Sequence, residues 1–238
     1  MAKNLKGQIK SIEKISIDTY KMDIQSELED VKAGQFVSIL CPNKTLRRPF
    51  SVADFEKGTF SVLFKLKGDG TKYLSSLKKG DTVDFIAPLG NGFKIENKKS
   101  LLVGAGIGIA PMLFLKKELN QKNIENYLIT GFKAQNEVIE GSDKNVIGGS
   151  VLDDIETLIE QYKPEVIYSC GPLIVLKLLS QTAQKYNIQT QLALEKVMAC
   201  SIGVCRGCVI KIKKDNDIKM ASVCKDGPVF DGSVILWN

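Results

Sequence analysis

Near residue 98 the apolar pattern of this 238-residue chain changes period, and that change limits its fold more than any other feature. Before it, short runs alternate apolar and polar residues, the two-residue period of half-buried strands. These runs are "GQIKSIEKISI", "YKMDIQ", "GQFVSIL", "PFSVA", "TFSVLFKL" and "DTVDFIA". Gly and Pro punctuate them, which predicts a small antiparallel barrel or sandwich. One helix is expected at "TKYLSSLKK", where Tyr73, Leu74 and Leu77 recur at helical spacing.

After the change, strands and helices take turns. "SLLVGAG" reads as a buried strand ending in glycines, and "APMLFLKKELNQ" as a helix with Pro111 in its first turn. "NYLITG", "EVIYSCG" and "IQTQLAL" read as strands, "SVLDDIETLIEQY" and "PLIVLKLLSQTAQKY" as helices. This order predicts a parallel sheet with helices on both faces. From Glu195 the regularity stops, leaving one β-like run, "CVIKIKK", and a turn at "KDND". The expected fold class is therefore multidomain α/β: an antiparallel β-barrel over 1–97, a Rossmann-like parallel α/β domain over 98–194, and a small tail over 195–238.

That tail carries Cys200, Cys205, Cys208 and Cys224, spaced C-x4-C-x2-C…C. This is the spacing of plant-type [2Fe–2S] sites. Two irons bridged by sulfides need four thiolates, three from a tight loop and one from elsewhere. Gly203 and Gly207 let such a loop turn and bring N–H groups to the sulfurs. Zinc is the rival reading, although only Cys205 and Cys208 form a C-x2-C pair. Cys41 and Cys170 stand outside the set.

Two loops suit a nucleotide. "VGAGIGIAP" places Gly104, Gly106 and Gly108 between a strand and a helix, close to a dinucleotide fingerprint without matching it. "SCGP" places Cys170, Gly171 and Pro172 at the end of another strand, at the same sheet edge. A small buried residue is the plain alternative for Cys170. No acidic residue is clearly placed to read a ribose 2′-OH, and Lys133 could meet a 2′-phosphate; NAD is favoured over NADP. "RRPFSVAD" is the flavin candidate: Arg48 offers a forked donor for pyrophosphate, Ser51 a hydroxyl, and Pro49 marks an edge or bulge. Gly70-Thr71 precedes the expected helix and suits a phosphate. Arg48 alone would equally be a surface ion-pair residue.

The chain has no histidine, which excludes Ser-His and Cys-His nucleophiles and His-ligated metals. Its net charge of +6 is scattered over the chain, a solvated surface rather than a nucleic-acid footprint. The N-terminus has no apolar core of a signal peptide, and no apolar run approaches the ~18 residues that span a membrane. A cytoplasmic location is expected, where thiols stay reduced unless they bind metal or do redox chemistry.

The order of "RPFS", "GAGIGIAP", "CGP" and a terminal C-x4-C-x2-C…C resembles the ferredoxin–NADP reductase-like superfamily over essentially the whole chain. "MACSIGVCRGCV" and "VCKDGPVF" are most similar to the electron-transfer subunits of class 1B dihydroorotate dehydrogenases. The resemblance implies FAD held by Arg48, Pro49, Phe50, Ser51, Leu63, Phe64, Lys65, Gly70 and Thr71. It implies a [2Fe–2S] cluster on the four cysteines. Two departures stand out. The family usually has Gly directly after the first cysteine, where this chain has Ser201, and a positive φ there would strain a serine. Lys65 stands where Arg is common.

A nicotinamide exchanges two electrons as hydride and a cluster exchanges one, so the implied order is nicotinamide, FAD, cluster. No acid–base residue is expected in this chain. The implied partner is an FMN-containing dihydroorotate dehydrogenase catalytic subunit, in a heterotetramer of two subunits of each kind. Such a (β/α)8 barrel needs about 250 residues of its own. The cysteine tail is expected at the subunit interface. The alternatives are related subunits of a sulfide dehydrogenase or an NADH-dependent ferredoxin:NADP oxidoreductase, and a zinc-stabilised module without redox activity.

Overall fold

The computed structural model describes residues 2–42, 44–215 and 217–237. Strands β1 (Lys3–Lys14), β2 (Thr19–Ser26), β3 (Phe36–Ile39), β4 (Arg48–Glu56), β5 (Thr59–Lys65) and β6 (Thr82–Leu89) close into an antiparallel barrel, ordered β1-β2-β5-β4-β3-β6. The alternation seen in the sequence points one side of each strand inward. Met22, Ile24, Val52, Phe60, Val62 and Phe85 are fully buried there, each worth roughly 1.5–3 kcal/mol of transfer free energy. Helix α1 (Asp69–Ser76) sits between β5 and β6.

β4 changes partners along its length. It pairs with β3 from Arg48 to Ser51 and with β5 only from Val52 onward, with a bulge between Val52 and Asp54. The edge that Pro49 suggests is therefore real over the "RPFS" stretch, and its four residues are all half-buried instead of alternating.

The second layer holds β7 (Ser100–Ala105), α2 (Ile109–Gln121), β8 (Asn126–Phe132), β9 (Lys144–Ile147), α3 (Ile155–Tyr162), β10 (Val166–Cys170), α4 (Leu173–Lys185) and β11 (Gln189–Ala193). Its strands run parallel in the order β9-β8-β7-β10-β11. The order reverses between β7 and β10, so a crevice opens at their carboxyl ends. α2 bridges the layers: Met112, Phe114, Leu115 and Leu119 are buried in the core shared with the barrel. Lys117 on its outer side pairs with Asp54 of β4 at 2.7 Å.

Four parts of the chain differ from the sequence expectation. α1 begins at Asp69, so Gly70 and Thr71 lie inside its first turn and not ahead of it, because the Thr71 hydroxyl accepts from the Gly68 N–H and caps the helix there. β9, "KNVI", carries no alternation of apolar and polar residues, and the sequence expectation has no strand there. α3 starts at Ile155, not Ser150, because the Asp153 carboxylate accepts from the Ser150 N–H at 2.8 Å and holds residues 151–154 as a turn. The tail is also more regular than expected. β12 (Val209–Lys214) pairs with β13 (Asp217–Ser222), α5 (Val223–Asp226) follows, and β14 (Val229–Asp231) joins the α/β sheet antiparallel to β11. The "KDND" turn includes Asn216, which lies outside the described residues.

The tail thereby fills a junction. Phe36 and Leu89 of the barrel, Leu176 and Leu192 of the sheet layer, and Cys208, Val223, Cys224 and Phe230 share one buried cluster. No helix among the described residues is long and apolar enough to cross a membrane.

Candidate functional site

The crevice at the switch point is lined by two loops that interlock. A Cβ on Gly108 would collide with the Cys170 carbonyl, and one on Gly171 would lie 2.8 Å from the Ala105 Cβ. Only glycines permit this approach. Gly104 is tightly packed too, though less so, with the Ile109 Cα 3.0 Å from any Cβ there. Gly106 adopts φ +56° in open space. Gly104, Gly108 and Gly171 thus shape the loops through packing, and Pro111 is buried in the first turn of α2. Gly104, Gly106, Gly108, Pro111, Gly171 and Pro172 are not among the residues lining the adjoining cleft.

That cleft, about 270 Å³, lies between barrel and sheet. The barrel supplies Pro49, Phe50, Ser51, Leu63, Phe64, Lys65 and Thr71, and the sheet supplies Cys170. Eight residues singled out from four separate stretches of sequence therefore meet on one surface. The other wall was not singled out in the sequence: Phe36, Ile107, Ala110, Leu194, Glu195, Lys196, Met198 and Pro228. Ile107 and Ala110 flank the glycines and could have been found from that position; Leu194–Met198 carries no local signature. Phe50 and Phe64 lie 5.7 Å apart at 49°, and Tyr20 stacks behind Phe64. Such a wall suits a flat aromatic ligand.

Arg48 and Gly70 lie beside this wall. The Arg48 side chain passes so close to Gly70 that a Cβ there would sit 2.8 Å from Nε. Thr71 uses its hydroxyl within its own turn, accepting from the N–H groups of Lys67 and Gly68 at 2.9 and 3.2 Å. Lys65 lines the cleft, but its ammonium is held by Glu137 at 3.0 Å and Asp18 at 3.3 Å. Burial alone would lower the Lys65 pKa; hydrogen bonds to Glu137 and Asp18 outweigh it and raise it. Cys170 is pushed up, first by burial and then by Glu195, against the Gly171 N–H. It is a neutral thiol. Cys41 is buried beneath α1, with its thiol directed to the Gly70 carbonyl at 3.6 Å.

The four tail cysteines form two couples. Cys200 accepts from the Cys205 N–H and Cys208 from the Cys224 N–H, both at 3.4 Å, and Gly207 N–H donates to Cys205 Sγ at 3.4 Å. Cys208 and Cys224 are buried; Cys205 is exposed. Ser201, Gly203 and Arg206 all take positive φ, at +61°, +86° and +55°, which turns N–H groups inward around the sulfurs. Burial opposes ionisation of Cys200, yet N–H donors from Cys205, Ile202 and Val204 and the Cys205 thiol pull it down to about 6. Cys224 is pushed up to about 12 by burial and by the neighbouring Cys208. Among the described residues no three His, Cys, Asp or Glu side chains gather as a single-ion site would need. Paired thiols ringed by N–H donors are a donor set that fits a binuclear iron–sulfur cluster. Trp237 is half-buried against the cluster that holds Cys208 and Cys224 and is not among the cleft-lining residues.

Comparison with known proteins agrees with this division of labour. A family model for the FAD-binding domain of oxidoreductases matches residues 6–94, and one for the iron–sulfur cluster binding domain of dihydroorotate dehydrogenase B matches residues 195–236. A solved NADH-dependent reduced ferredoxin–NADP oxidoreductase is similar with a TM-score of 0.81 and 30% identity, over 97% of this chain and 90% of that one. The ferredoxin reductase of carbazole 1,9a-dioxygenase, at 16% identity and a TM-score of 0.68 over 79% of this chain and 67% of its own, shares the fold.

A closed barrel and a switch-point sheet meeting over one cleft define the ferredoxin-reductase-like class of redox proteins, to which this chain adds a cysteine tail. Within it, two curated relatives bear the name dihydroorotate dehydrogenase B (NAD(+)), electron transfer subunit. One, from Caldanaerobacter subterraneus subsp. tengcongensis, is 37% identical over 98% of both chains; the other, from Listeria monocytogenes serotype 4b, is 35% identical over 95% of this chain and 97% of its own. The chain belongs to that family of electron transfer subunits.

Proposed function

We propose that this chain carries electrons from an FMN-containing dihydroorotate dehydrogenase catalytic subunit to NAD+, in a cytoplasmic heterotetramer of two catalytic and two electron-transfer subunits. Its working units are residues 1–97 for FAD, 98–194 for NAD and 195–238 for a [2Fe–2S] cluster. The carrying observation is the path of one short segment: Leu194, Glu195, Lys196 and Met198 line the cleft, and Cys200 follows two residues later. The cleft and the thiol cluster are thus consecutive in the chain as well as adjacent in the fold.

Arg48, Pro49, Phe50, Ser51, Leu63, Phe64, Lys65, Gly70 and Thr71 would hold FAD. Gly104, Gly106, Gly108, Pro111, Cys170, Gly171 and Pro172 would form the nicotinamide side, and Cys200, Cys205, Cys208 and Cys224 the cluster site. When bound, the flavin supplies the exchange between two-electron hydride chemistry and the one-electron chemistry of the cluster. The residues contribute position. Phe50 and Phe64 give the cleft an aromatic wall, the interlocked glycine loops hold its sheet side, and the inward N–H groups favour thiolates on the tail. Cys170, kept neutral by burial, is a contact surface and not a nucleophile. No side chain is assigned to proton transfer.

The likeness to the NADH-dependent ferredoxin–NADP oxidoreductase favours one second reading, the same electron-transfer role beside a different partner. Purification of the tagged chain from its native cell, with identification of what accompanies it, separates the two. A dihydroorotate dehydrogenase catalytic subunit is expected; a sulfide- or ferredoxin-linked partner would overturn the first reading. A colourless protein purified without air would overturn both.

A further inference from the structure

Ser201 follows the first cysteine of the cluster loop at φ +61° and is completely buried. A serine there carries backbone strain that glycine would avoid. The structure shows what accompanies the strain. The hydroxyl of Ser38, itself completely buried on β3, donates to the Ser201 hydroxyl oxygen at 3.0 Å. Ser38 lies directly across the β3–β4 ladder from Pro49 in the flavin stretch. A hydrogen bond between two buried hydroxyls, 163 residues apart in sequence, therefore ties the residue beside Cys200 to the strand beside the cleft. A left-handed glycine could make the turn; it could not make this bond.

We infer that the Ser38–Ser201 hydrogen bond is a positioning device that fixes the cysteine loop against the flavin-side barrel strand, and so sets the spacing across which single electrons pass. Both serines act through their neighbours: Ser201 through Cys200, and Ser38 through β3 and β4. Neither lines the cleft nor offers a sulfur. Breaking a bond between buried partners leaves the surviving hydroxyl unsatisfied, which frees the loop to shift. The inference rests on the reading of Cys200 as a cluster ligand.

The test compares the native complex with S38A, S38T and S201G in rapid-mixing experiments with NADH, following flavin bleaching and then cluster bleaching. Iron content, the electron paramagnetic resonance line shape of the reduced cluster and amide exchange over residues 200–208 are measured on the same samples. S38A is expected to keep its iron and its rate of flavin reduction. Its cluster should be reduced at least threefold more slowly, with an altered line shape and faster amide exchange. S38T, which restores the hydroxyl, should recover the native rate. S201G eases the backbone, so it remains informative if S38A folds poorly; it should be slowed like S38A despite a more relaxed turn. Equal cluster-reduction rates in iron-loaded native, S38A and S201G proteins would overturn the inference alone. An iron-free native protein would overturn the cluster assignment, and the inference with it.

Discussion

Gly108, at the start of α2, lies so close to the Cys170 carbonyl at the end of β10 that no side chain fits between them. Two loops far apart in sequence are locked together at the crevice where the strand order reverses. The obstacle at position 108 is backbone, so relief by a rotamer change is not available. Its φ of −61° is ordinary, so replacing Gly108 tests the close approach without adding dihedral strain.

G108A is accordingly expected to force the two loops apart. Overpacking of this kind costs about 1–3 kcal/mol. Thermal unfolding should shift downward, and the KM for NADH should rise while iron and flavin contents stay native. An unchanged KM would show that this crevice does not receive the nicotinamide.

Gly70 offers a similar test on the flavin side. G70A places a methyl group against the Arg48 guanidinium without removing its charge. R48A removes a charge-assisted donor worth about 1.5–3 kcal/mol, so FAD affinity should fall by roughly ten- to a hundredfold. G70A should weaken it less. Fluorescence titration of the flavin-stripped protein measures both, and native affinity in R48A would exclude Arg48 from the site.

Lys65 braces the barrel to the α/β unit through Glu137 and pairs within the barrel with Asp18. Its folded pKa is raised above the unfolded value, so its contribution is complete below the unfolded pKa and is lost as pH rises through the folded one. Native protein should therefore exceed E137Q in stability by about 1 kcal/mol at neutral pH, with the gap closing only above pH ~10. Denaturant unfolding of both proteins from pH 6 to 11 checks this, and a gap that closes near neutrality would contradict it.

Much of this was legible in the sequence where a local period or spacing carried it. The six barrel strands, the strand–helix alternation and the glycine loops all announce themselves within about ten residues. Ser201 stands out only through the family resemblance, which expects glycine after the first cysteine; the structure supplies the positive φ of +61°. What stayed hidden is non-local. β9 and β14 are short strands defined by their neighbours, β8 and β11, not by their own pattern. The far wall of the cleft comes from Leu194–Met198, placed there only because the tail folds back into the barrel–sheet junction. Ser38 reads as one more strand residue until Ser201 arrives beside it.

The central claim is that electrons reach NAD+ through the cysteine tail, and Cys208 tests it most directly because it is buried and coupled to Cys224. The measurement is NAD+ reduction driven by dihydroorotate in the co-purified complex, native against C208S. A dye that accepts electrons at the catalytic subunit serves as control. The account predicts that C208S loses iron and NAD+ reduction while dye reduction continues at the native rate. NAD+ reduction at the native rate in C208S would contradict it.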